Sequence, residues 1–346
     1  MSRVALALAA WLAAGAAGAQ EADTTKPAPP VGPRAALIAA KATQARLLDI
    51  TIAGSRLVAV GEEGVILRSD DGQHWTQSPS PVNVMMTRVR FTDAQHGWAL
   101  GYSASILQTS DGGATWQLRH YDPQLHAMYD ILFLDAQHGF AVGGFGIVLE
   151  TRDGGTTWSP AVPALADLRL HLNALLRLGD GSLLVTGEHG LIARSIDAGA
   201  SWQALRSPYI GSFFGAFAQG DKGALIHGMR GNVFVTDNLA ACPVVELSKW
   251  DPDAQQSAAT PEQLGALGWR RIDNPSHESL FGVLPMSPPS LLLFGINGTV
   301  LRLSSPTAAL VPVKTAAVET LVHAVNFKGR VIAVGRQGIL DLGAMP

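Results

Sequence analysis

The sequence predicts an all-β chain folded as a seven-bladed β-propeller, and three observations carry that reading. A Gly-x-x-Gly turn between two strand-length apolar runs recurs, its first glycine at Gly61, Gly101, Gly143, Gly187, Gly228, Gly295 and Gly335, in steps of 40, 42, 44, 41, 67 and 40 residues. The partner glycine stands at Gly64, Gly146, Gly190, Gly231, Gly298 and Gly338, with Ala104 in the second copy. A second turn repeats as TSDGGATW at 109–116, TRDGGTTW at 151–158 and SIDAGASW at 195–202. The composition agrees: 37 glycines and 47% hydrophobic residues among 346 suit a turn-dense chain with a large core. A period in the forties with about four strands per unit marks a propeller.

Each unit reads as an inner strand, a turn, a second strand, the Gly turn, a third strand, the Asp turn and an outer strand. Inner strands are buried on both faces and so form near-continuous apolar runs, such as Tyr129–Leu134 and Val322–Phe327. In the Asp turn the carboxylate accepts backbone N–H groups, glycine supplies a positive φ, and tryptophan anchors the corner. Asp111, Trp116, Asp153, Trp158, Asp197 and Trp202 are therefore structural, as are Asp71 and Trp75 in a first copy, SDDGQHW, that is one residue short.

Taken in order, residues 1–19 read as an export signal: Arg3, an Ala-rich apolar stretch, then small residues before Gln20. The mature chain is then exported, periplasmic or lumenal, and soluble, because no later stretch is long enough to span a bilayer. Residues 20–33 form a Pro/Ala-rich disordered tether, and 34–346 a single propeller. Residues 34–47 read as strand or helical turn. A closing strand is favoured, because blade seven stops near Ile339–Leu342 without an outer strand, and a borrowed one removes an open edge. The first inner strand falls near Leu47–Ile52. The long step in blade five marks a surface insertion at about 239–268, after which Trp269 opens the outer strand and PEQLGAL forms a helical turn.

Turns between the second and third strands share one face with the connections into the inner strands. That face offers Arg88, Tyr102, Asp130, Phe145, Glu188, His189, Met229, Arg230, Asn297 and Arg336, a mixture of charged and aromatic groups suited to binding a protein partner. No catalytic set stands out. Four tyrosines lack an adjacent acid-and-arginine pattern, His96 and His138 repeat on different blades without further ligands, and the single Cys242 allows neither disulfide nor thiolate cluster. Neither metal nor cofactor is expected. A net charge of −3 gives no case for nucleic acid.

In these repeats the chain resembles the photosystem II stability/assembly factor-like family of Asp-box (BNR repeat) propellers. The resemblance is carried by GWALG (97–101), GFAVGG (139–144), DGGATW, DGGTTW and LLDITIAGSRLVAVGEEGVILRSDDG (47–72), and covers about residues 35–342. It implies a monomeric, non-enzymatic scaffold for assembling an integral membrane protein complex, in photosynthetic members on the lumenal side, with an arginine-rich patch to which Arg88, Arg230 and Arg336 correspond. The alternative is a glycan-binding or sialidase-like Asp-box propeller.

Overall fold

The computed structural model describes residues 32–345; the expected export signal and nearly all of the tether lie outside them. Seven antiparallel sheets follow one another: blade one over 47–78, two over 86–120, three over 128–160, four over 172–205, five over 213–271, six over 280–312 and seven over 321–341. Each runs inner to outer strand in chain order. The first inner strand is Leu47–Ala53.

Seven apolar clusters make the core among the described residues, each between two adjacent blades. The second strands, such as Gly97–Gly101 and Gly139–Gly143, are buried along their whole length. The turn tryptophans pack against the preceding blade: Trp116 joins the cluster between blades one and two, Trp158 that between two and three, Trp202 that between three and four.

The Asp turns close as their residue types require. Asp153 Oδ1 accepts from Thr157 N at 2.9 Å and Thr151 Oγ1 at 2.8 Å, while Trp158 Nε1 donates to Gly155 O at 3.1 Å. The copies at Asp111 and Asp197 repeat this geometry. In the short first copy, His74 replaces the hydroxyl, its Nδ1 2.7 Å from Asp71 Oδ2. Those hydroxyl, imidazole and backbone N–H groups hold the Asp153 and Asp197 carboxyls near 2, and push Asp71 and Asp111 below their ordinary value, although burial opposes the shift at Asp111.

Two expectations are corrected. Residues 34–46 form no strand, and among the described residues blade seven has three strands, Leu321–Phe327, Arg330–Gly335 and Gly338–Asp341. The segment instead runs along blade one: Ala36 N donates to Ser80 O at 3.0 Å, and Gln77 brackets it through Ala39 N and Leu37 O at 2.9 Å each. A 3-10 turn at Ala42–Gln44 then packs Ala42 against the blade seven–blade one core. Leu37 and Ile38, which suggested a strand, are exposed.

Nor does the blade-five insertion lie simply on the surface. Its Val244–Glu246 pairs with Gln203–Leu205, adding a fifth strand to blade four. Trp250, 4% exposed, enters the core between blades three and four. The helix Pro261–Ala266 is capped by the reciprocal pair Thr260 and Gln263. Trp269 then packs between blades four and five, as a turn tryptophan does, and Arg270–Arg271 forms the outer strand.

Candidate binding face

Every blade carries a register irregularity at the start of its inner strand, for example between Leu47 and Asp49, Met86 and Arg88, and Leu321 and His323. A bulge re-aims the side chains beside it. Here they reach across to the next blade's inner strand. Asp49 Oδ2 accepts from Val89 N at 2.8 Å, Arg88 Nε donates to Tyr129 O at 3.2 Å, and Asp130 Oδ2 accepts from Leu175 N at 3.0 Å. Asn173 Nδ2 donates to Phe213 O at 2.8 Å, and His323 Nδ1 to Ile50 O at 3.1 Å, which joins blade seven to blade one.

Arg88 and Asp130 therefore do not stand at an open mouth. Asp130 is 2% exposed and lies 3.1 Å from Arg88 Nε. Arg88 also faces Asp49 at 3.8 Å, and Arg90 reaches Asp130 at 3.5 Å. Burial opposes the Asp49 charge, but His323 and Arg88 outweigh it and hold the carboxyl near 2. Burial likewise opposes the Arg88 charge, and Asp130 and Asp49 keep its pKa above the ordinary value. Of the three arginines assigned to a patch, Arg88 belongs to this inward network. Arg230 is exposed, and Arg336 is exposed and 3.6 Å from Glu319.

The remaining face residues sit on the Gly turns, whose backbone is unusual. Glu63, Ser103, Phe145, His189, Arg230 and Asn297 all hold φ between 50° and 57°, the left-handed region that a side chain disfavours. At Gly190 the adjacent glycine is enforced, since a Cβ would lie 2.0 Å from Tyr209 O, whereas blade two carries Ala104 at this position with φ of 45°. Strain of this kind persists where surrounding structure enforces it, and it aims six side chains outward.

Three of the turn residues meet neighbours that the sequence does not reveal. The Phe145 ring stacks on His126 at 4.0 Å between centroids and meets His171 edge-on at 4.9 Å. His171 faces Tyr129 at 5.7 Å, and its backbone N–H donates to Glu188 Oε2 at 2.9 Å. Burial raises the Tyr129 hydroxyl pKa, with Tyr102 and Glu188 adding to it. Tyr102, His126, Tyr129, Phe145, His171 and Glu188 thus form one aromatic and histidine-rich patch over blades two to four, with half of Phe145 and of Tyr102 exposed. His126 and His171 lie in connections of differing length, so no repeat marks them. The only cue is an aromatic or histidine just before an inner strand. Met229 is half-buried, His189 and Asn297 are exposed, and Asn297 Nδ2 donates to Glu278 Oε1 at 3.2 Å; none of these joins the patch.

Seven sheets of three to five strands, four of them with Asp-turn corners, define the class: an Asp-box β-propeller. Residues 67–236 match the family model for "Photosynthesis system II assembly factor YCF48". That match takes in just under half of the chain, and over this span the chain is similar to the photosystem II assembly factor family. It is 36% identical over 160 residues to the photosystem II assembly protein Ycf48 of Thermosynechococcus vestitus, covering 44% of each chain, so the match spans less than half the length of that relative. Among solved structures it is similar to YCF48 bound to D1 peptide, with a TM-score of 0.65 and 18% identity over 92% of this chain and 99% of that one. It is also similar to a virginiamycin B lyase from Staphylococcus aureus, with a TM-score of 0.66 and 12% identity over 90% and 99%. At these identities the two structures speak for the fold alone.

Proposed function

We propose that this chain is an exported, non-enzymatic scaffold that binds an extramembrane segment of a membrane protein, or of its assembly intermediate, on the face carrying the Gly turns. The observation that carries the reading is the exposed patch around Phe145, in which aromatic rings from three blades stand together on a rigid ring. Large aromatic groups held by a fixed framework lose little entropy on docking and are typical interface anchors. The match to an assembly-factor family supports the same class of role, and one fold neighbour is described as bound to a D1 peptide. Among the described residues no helix is long and apolar enough to cross a membrane, which fits a partner that supplies the membrane segment.

Arg230 and Arg336 lie on the same face and supply positive charge toward an acidic partner segment. The test is a double Arg230→Glu, Arg336→Glu variant beside a charge-matched double change on the Asp-turn face. Capture of the partner by crosslinking from exporting cells falls for the first and not for the second, at equal thermal stability. Equal capture by both moves the binding surface elsewhere. A fluorogenic sialoside assay is run in parallel, and turnover there supports the hydrolase reading instead.

A further inference from the structure

The central channel is built asymmetrically. The third residue of the inner strand is Asp49, Arg88, Asp130 or His323 on blades one, two, three and seven, but Ala174, Gly215 or Gly282 on blades four, five and six. The small residues leave an open space of about 420 Å³, within the range of small-molecule sites.

On the polar side Arg88, Arg90, Asp130 and His323 line the space, with Asp130 itself almost wholly buried. Asp49 and Asp130 are buried, and their oxygens take the backbone N–H groups of Val89, Ile131 and Leu175. The Arg90 side chain remains 41% exposed in the channel, with only a long 3.5 Å contact to Asp130. The channel therefore faces its contents with guanidinium donors, although its ionic groups nearly balance in number. A planar guanidinium pairs best with a carboxylate.

On the opposite side the Phe214 and Phe281 rings lie 5.2 Å apart and form an apolar wall together with Phe217. Beside them His227 Nδ1 donates to Leu280 O at 3.0 Å, which leaves Nε2 as an acceptor. Gly215 keeps space open there, since a Cβ would sit 2.4 Å from that nitrogen. Burial holds the ring neutral, with a pKa near 4.

We propose that the channel binds a small aryl carboxylate: carboxylate on Arg90, ring against Phe214 and Phe281, and a hydroxyl donating to His227 Nε2. This goes beyond the face described above and does not depend on it.

The test is isothermal titration of the full mature chain with para-hydroxyphenylacetate, phenylacetate and tyramine, the last carrying an amine in place of the carboxylate. Para-hydroxyphenylacetate binds most tightly, and tyramine at least about tenfold more weakly. Arg90→Gln weakens both acids by about tenfold or more while leaving the thermal midpoint in place. Equal binding of acid and amine, unchanged acid binding in Arg90→Gln, or no heat from either acid up to about 10 mM overturns the proposal. Should Arg90→Gln fail to fold, the acid-over-amine preference of the unaltered chain decides alone.

Discussion

His323 Nδ1 lies 2.6 Å from Asp49 Oδ1, so a contact between a buried carboxylate and an imidazole closes the ring where its last blade meets its first. The N–H of the same nitrogen points at Ile50 O, and Asp49 also faces the Arg88 guanidinium at 3.8 Å. Removing one partner of a buried charge pair leaves the other uncompensated, a loss of about 3–5 kcal/mol. Asp49→Asn therefore lowers the unfolding free energy from urea denaturation by that amount, while charge-neutralising changes at exposed Asp70 have little effect.

Acid unfolding proceeds in two windows. The His227 pKa is depressed from 6.5 to about 4, so the unfolded state binds the extra proton between those values and stability falls as pH drops from 6.5 toward 4. Asp49 is depressed from 3.8 to about 2, so its contribution is full above 3.8 and is lost as pH falls from there through 2. Urea midpoints measured against pH show the first decline removed in His227→Gln and the second reduced in Asp49→Asn. A His227→Gln curve parallel to the original contradicts the assignment.

The turn tryptophans Trp116, Trp158 and Trp202 anchor blades two, three and four to the one before. Trp116 is 6% exposed and bonded to Gly113 O at 3.1 Å, so Trp116→Ala costs about 3–5 kcal/mol in chemical denaturation. Trp75, in the shortened turn, is only partly buried, and Trp75→Ala costs distinctly less.

Backbone strain in the Gly turns gives opposite signs at adjacent positions. His189 holds φ at 50°, and His189→Gly relieves a left-handed side chain and stabilises by about 1 kcal/mol. Gly190→Ala, at φ +74° with its Cβ driven onto Tyr209 O, destabilises by more than about 1 kcal/mol. Thermal midpoints of the two variants move in opposite directions.

Trp250→Ala opens a cavity between blades three and four and costs about 3–5 kcal/mol, although Trp250 belongs to the blade-five insertion. Limited proteolysis shows the matching effect: the strand at Val244–Glu246 resists cleavage in the original chain and becomes labile in the variant.

The propeller was legible because it is periodic. Seven Gly turns and four Asp turns recur at fixed offsets, and Trp269 could be placed on the blade-five outer strand by position alone. What could not be read depends on contacts across the repeat. The run AALIAA reads as strand or helical turn, yet Leu37 and Ile38 face solvent and the segment's backbone groups bond to Gln77 and Ser80. Arg88 and Asp130 look like rim residues until the bulges turn them onto neighbouring blades. The fifth strand of blade four comes from another blade's insertion, a pairing no local pattern encodes. Of the face, Phe145, Tyr102 and Glu188 were visible as non-repeating turn residues. His126 and His171 were not, since only their stacking on Phe145 brings them into the patch.

Binding of a protein partner on the Gly-turn face, through the patch around Phe145, is tested by site-specific photocrosslinking. A photoreactive side chain replaces Phe145 in one variant and exposed Val311, on the outer strand of blade six, in another. After irradiation in exporting cells, the position-145 variant yields a discrete adduct containing an extramembrane segment of a membrane protein, and the position-311 variant does not. The same adducts from both positions, or none from position 145, contradict the account.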